Sequence, residues 1–315
     1  LKTSTLAELE DALPKDVFSI LRVPAATRTA AHVNRLKDYF AAKRKEEEWA
    51  RIVANTPPPP KVPKLDIRLT QKGFKTDPEN FQVVCKSAAM TIARYYHKRQ
   101  FKPILITKAD NGYPVKLNEP GPKGESQIML SISNGWMWSQ IAFQFAHEFT
   151  HILINEKMPG SAPNHWINEA FCEAASYHAI KQMAKEWAAH PPYPNWQDYA
   201  ESLNACAELY LGKGTAKPEG MEFIAWFKKN EKALRLGKWF PKYGLYKYPA
   251  YQFYQIIKED PSQLGAIAFL NFGLRNHNPA LSTHQYLARW KMVLPVKHKP
   301  FADQIAAVFG YSLPK

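Results

Sequence analysis

The sequence has few cysteines, no long apolar run and no internal repeat. Its 315 residues include three cysteines, Cys85, Cys172 and Cys206, whose number and spacing exclude a disulfide framework and a cysteine-based zinc site. No stretch approaches 18 consecutive apolar residues, so we expect no membrane span. The 45% hydrophobic and 22% charged residues are typical of a globular protein of one large domain with appendages, or of two domains.

Negative charge is also scarce. Against 42 Lys and Arg residues stand 28 Asp and Glu, which gives a formal net charge of +14. Such an excess can attract nucleic acid, anionic lipid or acidic proteins. The basic residues are scattered without a recognition motif, so we expect a soluble protein with no nucleic-acid partner. No signal peptide is visible, but the chain begins at Leu1 rather than Met, as removal of a leader would leave it, and we lean towards export.

The tract TPPPPKVP, residues 56–63, is the clearest boundary in the sequence. Four consecutive prolines stop a helix and form a stiff, extended connector. Residues 1–55 have apolar side chains at mostly helical intervals and form an N-terminal helical segment. Whether this segment acts as a propeptide, a lid or a brace for the rest of the protein stays open.

Beyond the connector, we predict a strand-containing subdomain over 64–158 and a helical subdomain over 159–315. KPILITKA (102–109) and SQIMLSIS (126–133) are rich in β-branched or alternating apolar residues, so each predicts a strand. The segment PVKLNEPGPKGES between them reads as a loop. A helix with Asp77 as its cap precedes them, and long helices follow. We therefore predict an α+β fold that is mostly helical and has a small mixed sheet.

The segment FQFAHEFTHILIN (143–155) combines apolar residues with three ionisable ones. A helix that is apolar all round is normally buried, and burying charges is costly unless they have partners. His147, Glu148 and His151 form the pattern H-E-x-x-H, which places both imidazoles on one helix face within reach of one zinc ion. Glu148 then lies beside the open coordination position, where it can take a proton from zinc-bound water.

A third protein ligand is needed at a catalytic zinc site, and HWINEAFCEAAS supplies a candidate on the next helix. Glu169 follows His151 by 18 positions, and an antiparallel return brings it back beside the first helix. Glu173 is one turn further on the same face, where it can accept the second N–H of a zinc-bound histidine. His165, in the predicted loop before this helix, is the alternative third ligand.

HEFTH followed by WINEAFCE resembles the gluzincin metallopeptidases, the clan of thermolysin and the M1 aminopeptidases. The resemblance implies a zincin-type fold with one Zn²⁺ held by His147, His151 and Glu169. It also implies Glu148 as general base and Glu173 as the carboxylate behind a zinc-bound histidine. The gap of 17 residues between His151 and Glu169 is one shorter than is usual in M1 enzymes, and Ala170 replaces a frequent glycine. Both departures argue against strict membership of that family.

The resemblance extends weakly to YGLYKYPAYQFYQII (243–257). M1 enzymes have two tyrosines five residues apart, and the second stabilises the oxyanion. Tyr248 matches that second tyrosine, with Tyr246 and Tyr251 as substitutes. SQIMLSIS resembles the edge strand that pairs with an extended substrate in this clan. The G-x-M-E-N segment that anchors a free substrate amine in M1 aminopeptidases is missing, which favours an endopeptidase.

The sequence therefore predicts a zinc metallopeptidase whose partner is a peptide or protein substrate. The first alternative is a catalytically inert zincin fold that serves as a binding or scaffold module. A second is a basic protein whose N-terminal helices engage nucleic acid or anionic lipid. A third keeps the enzyme and makes it a secreted protease toxin or effector with the same site. The sequence assigns no oligomeric state.

Overall fold

The protein is mostly helical and carries one small mixed sheet, which confirms the predicted α+β class. The computed structural model describes residues 13–23, 27–60, 65–70, 73–96, 100–110, 112–132, 135–154, 163–214, 221–237, 244–272 and 281–314. No helix in these ranges combines the length and apolar character needed to cross a membrane.

The chain divides into two compact units, Leu1–Pro57 and Pro58–Lys315, and the break falls in the proline run. In the first unit, α1 (Lys15–Arg22) and α2 (Ala30–Ala54) are joined by a short connection. The Thr29 side chain caps α2 by accepting a 3.2 Å hydrogen bond from the backbone N–H of His32, a donor that the helix itself cannot satisfy. The roles suggested for this segment stay predictions.

The second unit has nine helices within the described residues, together with three single 3₁₀ turns at Pro194–Trp196, Pro261–Gln263 and Val296–His298. The helices are α3 (Pro78–Ala93), α4 (Trp138–Leu153), α5 (His165–Ala189), α6 (Tyr199–Gly214), α7 (Phe223–Arg235), α8 (Lys247–Ile257), α9 (Leu264–Ile267), α10 (Thr283–Val293) and α11 (Lys299–Val308). Asp77 caps α3, as predicted, by accepting a 2.8 Å hydrogen bond from the Asn80 N–H. The sheet and the helices belong to one compact unit, and the subdivision between residues 158 and 159 stays a prediction.

The sheet contains β1 (Ile67–Leu69), β2 (Ile104–Lys108), β3 (Val115–Leu117) and β4 (Ser126–Leu130) in the order β1-β2-β4-β3. β2 is parallel to both β1 and β4, whereas β3 is antiparallel to β4. Two sequence expectations are wrong here. The segment predicted as a loop between β2 and β4 contains the strand β3. SQIMLSIS, expected to be an edge strand, forms β4, which lies inside the sheet between β2 and β3. Three residues are too short a run for alternation to identify a strand.

The core of the second unit is built around α4 and α5. Phe145 and Phe149 of α4 are fully buried, and burial of each side chain contributes about 1.5–3 kcal/mol. From Trp166 to Ile180, every residue of α5 except Glu169 is buried. A helix that is buried on all sides has no polar face. Glu169 is the one residue of this stretch that is not fully buried, so at this residue α5 borders a partly open site instead of the hydrophobic core.

The Gln144 side chain joins α4 to the end of β4. Its Oε1 accepts from the Ser131 N–H at 3.0 Å, and its Nε2 donates to the Ser131 carbonyl oxygen at 2.7 Å. This paired contact satisfies the backbone where β4 ends. It also sets the position of the following turn of α4, which carries His147 and Glu148.

Candidate metal centre

The H-E-x-x-H residues lie on α4, inside the protein rather than on a surface helix. His147, Glu148 and His151 are 8%, 4% and 7% exposed. The ring centroids of the two histidines are 5.1 Å apart. Two imidazoles that bind one tetrahedral zinc ion through nitrogen at 2.0–2.1 Å have centroids about 5 Å apart. The pair is therefore spaced as a shared metal ion requires.

Glu169, on the second turn of α5, faces both histidines. Its Oε2 lies 3.1 Å from His147 Nε2, and its Oε1 lies 3.4 Å from His151 Nε2. Nitrogen and oxygen atoms bound to one tetrahedral zinc ion lie roughly 3.3–3.5 Å apart. The antiparallel return expected from the sequence thus brings the three side chains close enough to share one zinc ion.

Glu173 is one turn after Glu169 and contacts the other nitrogen of His147. Its Oε2 lies 3.3 Å from His147 Nδ1, and its Oε1 accepts a 3.2 Å hydrogen bond from the Tyr177 hydroxyl. The Lys247 ammonium is 3.9 Å from the same Oε1. A carboxylate on Nδ1 holds the ring so that Nε2 points at Glu169, which is the arrangement common behind metal-bound histidines.

Two further α5 side chains lie at this site. His165 is the first residue of α5, not part of the loop before it, and its Nε2 is 3.1 Å from Glu169 Oε1. Cys172, whose spacing from the other cysteines excluded a cysteine-based zinc site, has its sulfur within 4.8 Å of a nitrogen of both His147 and His151. These three buried residues can hold a metal ion, so Cys172 is a donor that spacing alone missed. The spacing between cysteines does not indicate this role, but the position of Cys172 one helical turn after Glu169 on α5 does.

Opposite charges at the site shift the pKa values in opposite directions. Burial lowers the pKa of His147, but hydrogen bonds with Glu169 and Glu173 outweigh burial and raise it to about 9. Burial acts to raise the pKa of Glu169, but His151, His147 and His165 together hold it well below the ordinary value. The carboxylates therefore favour a positive charge between Glu169 and the imidazoles, whether it is a proton or a metal cation.

Glu148 faces the edge strand β3. Its Oε2 accepts a 2.7 Å hydrogen bond from the backbone N–H of Lys116. Burial raises the pKa of Glu148 even though His147, His151 and this N–H act to lower it. A carboxylate with a raised pKa is a better proton acceptor near neutral pH than an exposed one.

The predicted oxyanion residue, Tyr248, lies in an aromatic cluster. Its ring makes edge contacts with Phe223 at 4.9 Å and Trp226 at 5.1 Å. Its substitute Tyr246, just before α8, is in the electrostatic field of the site. Burial, with the Glu173, Glu169 and Glu148 carboxylates, raises the pKa of the Tyr246 hydroxyl well above its ordinary value, so this hydroxyl stays a donor. Tyr251 lies on α8 and is half-buried.

A cleft of about 430 Å³ opens beside His151, between the end of α4 and the sheet. Phe101 and Ile152 line one part of it, and Lys116 and Leu117 of β3 line another. The cleft therefore runs along the edge strand and reaches one candidate metal ligand, His151.

Comparison of the chain with family models, with curated proteins and with solved structures finds no match.

Proposed function

We propose that this protein is a zinc-dependent metallopeptidase of the gluzincin type, with one Zn²⁺ held by His147, His151 and Glu169. One observation carries the proposal. The side chains of two buried histidines and a carboxylate from a second helix converge, with nitrogen–oxygen distances of 3.1–3.4 Å, and the buried Glu148 follows His147 directly in α4. A purely structural cluster would need no additional, separately hydrogen-bonded carboxylate beside its three ligands.

Bound there, zinc would lower the pKa of a water molecule and polarise the scissile carbonyl. Glu148 would accept a proton at its carboxylate and deliver it to the leaving amine. Its hydrogen bond from the Lys116 N–H uses Oε2 and leaves Oε1 for the proton. Glu173 holds His147 through Nδ1 and stabilises the positive charge of the site.

The substrate of this proposal is an extended peptide in the cleft along β3. β3 is antiparallel to β4 on one side, and its other edge faces Glu148 through the Lys116 N–H. A peptide added to that edge would pair with main-chain groups other than the Lys116 N–H, which is donated to Glu148, and would have its side chains in the cleft beside His151. Such binding needs no free terminus, which favours an endopeptidase.

Tyr246 is the residue we assign to the oxyanion. Its hydroxyl stays protonated and lies in the field of Glu148, Glu169 and Glu173, whereas Tyr248 packs against Phe223 and Trp226. A donor aimed at the carbonyl oxygen stabilises the charge that develops there.

Metal content and hydrolysis, measured on the same preparations, test the proposal. We expect about one zinc ion per wild-type chain by elemental analysis. The Glu169→Ala variant loses zinc, whereas Cys172→Ala keeps it, since the carboxylate rather than the thiol is the third ligand. If Cys172→Ala loses zinc and Glu169→Ala keeps it, the ligand set is instead His147, His151 and Cys172.

The second arm uses Glu148→Gln, which keeps the shape and volume of the side chain. This variant retains zinc and loses about 10²–10⁴-fold in hydrolysis of a mixture of unstructured peptides, followed by mass spectrometry. New internal termini, absent when a chelator is added, would identify an endopeptidase. Zinc-loaded wild type that cuts no peptide would leave the inert binding module as the better interpretation.

A further inference from the structure

His165 contacts the metal-facing carboxylate, yet the proposed reaction uses it neither as a ligand nor as a base. Its Nε2 lies 3.1 Å from Oε1 of Glu169, the oxygen that is also 3.4 Å from His151 Nε2. Oε2 of the same carboxylate faces His147 at 3.1 Å. Glu169 therefore has one oxygen shared between His151 and His165 and one oxygen directed at His147.

The ring positions argue against His165 as a fourth ligand. The His151 and His165 rings are nearly parallel, at 9°, and their centroids are 6.4 Å apart. The corresponding distance for His147 and His151 is 5.1 Å, close to the roughly 5 Å of two imidazoles on one tetrahedral zinc ion. His165 is therefore more than 1 Å too far for that geometry, while its distance to Glu169 suits a hydrogen bond.

The first turn of α5 is held in place, so this contact is not the chance position of a loose side chain. Asn164, immediately before α5, is 4% exposed and donates through Nδ2 to the Leu281 carbonyl oxygen at 2.8 Å. Arg235 of α7 donates to the same carbonyl at 2.8 Å and to Asn164 Oδ1 at 3.3 Å. His165 follows this anchor and lies one helical turn before Glu169, where side chains on a helix meet.

We infer that His165 is a positioning residue that engages Oε1 of Glu169 by a hydrogen bond and so makes Oε2 the single metal-binding oxygen. This inference rests on the zinc site proposed above. A carboxylate that binds through one oxygen takes one coordination position, whereas one that binds through both takes two. Holding Oε1 would thus keep the remaining position for water, which catalytic zinc sites require.

Three substitutions separate this role from simple packing. His165→Gln keeps an N–H donor at about the reach of Nε2, His165→Asn keeps polarity but is too short, and His165→Phe keeps the ring and removes the donor. His190→Phe, on the exposed residue at the opposite end of α5, is the matched control. Zinc dissociation constants come from competition with a chelator, and far-ultraviolet circular dichroism of each variant reports folding.

We expect His165→Asn and His165→Phe to raise the zinc dissociation constant about 10- to 100-fold, with His165→Gln within about threefold of wild type. The visible spectrum of the Co²⁺ form gives a second readout. Wild type and His165→Gln show the strong band of four-coordinate cobalt, and the other two show the weaker band of five-coordinate cobalt as both oxygens of Glu169 reach the ion. His190→Phe matches wild type in both measurements.

Unchanged zinc affinity and an unchanged cobalt spectrum in folded His165→Asn or His165→Phe would overturn the inference and leave the proposed function intact. Equal loss of affinity in His165→Gln and His165→Phe would also overturn it, because His165 would then be a ligand. Wild type that binds no zinc would end the proposed function and this inference together.

Discussion

The backbone N–H of Lys116 donates a 2.7 Å hydrogen bond to Oε2 of Glu148 and so connects an edge strand to the candidate catalytic base. The two residues are 32 positions apart, on β3 and α4. Because β3 pairs with β4 on its other side, the N–H that faces Glu148 is on the open edge of the sheet. The same edge would bind the substrate, so the position of the base and that of the peptide depend on one strand.

Replacing Lys116 by proline tests this connection, since proline lacks the N–H and is tolerated at sheet edges. Without this donor the pKa of Glu148 rises further. We expect the acid limb of the pH–activity profile to move to higher pH, and kcat at neutral pH to fall. Lys116→Ala keeps the N–H and is the control. Equal profiles for the two variants would show that the contact does not tune the base.

Tyrosine-to-phenylalanine variants at two positions decide which hydroxyl acts on the oxyanion. We expect Tyr246→Phe to lower kcat about 10²–10³-fold with zinc content unchanged, as loss of one oxyanion donor does. Tyr248→Phe should remain within a few-fold of wild type because its ring packs against Phe223 and Trp226. Steady-state kinetics on one cleaved peptide measures both. The reverse result would restore the assignment made from the spacing of the tyrosines.

His178, on α5, should make the protein less stable in acid. Burial and the nearby Arg94 charge lower its pKa from 6.5 to about 3, although a hydrogen bond with the Thr91 backbone opposes the shift. Between pH 6.5 and 3 the unfolded chain therefore binds a proton that the folded protein does not. As the pH falls through this window, His178 should lower the free energy of unfolding by up to about 1.4 kcal/mol per pH unit.

Urea unfolding of wild type and His178→Gln across this pH range measures the contribution. The variant should show a shallower pH dependence below pH 6.5, and above that pH the two curves should differ only by a pH-independent offset. His190→Gln, on the exposed residue at the end of α5, is the control for replacing a histidine outside the core. Parallel curves for wild type and His178→Gln would mean that His178 is protonated in the folded protein.

The buried ion pair between Arg94 and Glu186 joins the end of α3 to α5. The guanidinium donates to both carboxylate oxygens, at 2.6 and 3.1 Å, and the side chains are 10% and 7% exposed. Arg94→Met leaves a buried carboxylate without its cation and should cost about 3–5 kcal/mol in urea unfolding. The double variant Arg94→Met, Glu186→Met removes both charges and should recover much of the loss. A double variant less stable than Arg94→Met would contradict this account.

Local sequence pattern was sufficient for the elements whose signal is long or chemically distinctive. The apolar run around His147 predicted a buried helix, and Asp77 predicted a cap, because both depend on neighbouring residues. The sequence does not predict β3, because its three residues are too few to show a periodicity and its partner β4 lies beyond a turn. The pairing that makes it a strand is not local.

The sequence by itself determined the chemical types of the candidate site: two histidines one helical turn apart, a glutamate between them, and two glutamates on the next helix. Spacing along a helix is a local property, so it can be read from the residues. Only the tertiary structure decided the rest. The packing of α5 against α4 brought Glu169 to both histidines, placed His165 against Glu169 and brought the Cys172 sulfur near both imidazoles. The chain after α7 brought Tyr246 into the field of the carboxylates. Those relationships depend on how separate elements pack in a shared core, and spacing within one element does not contain that information.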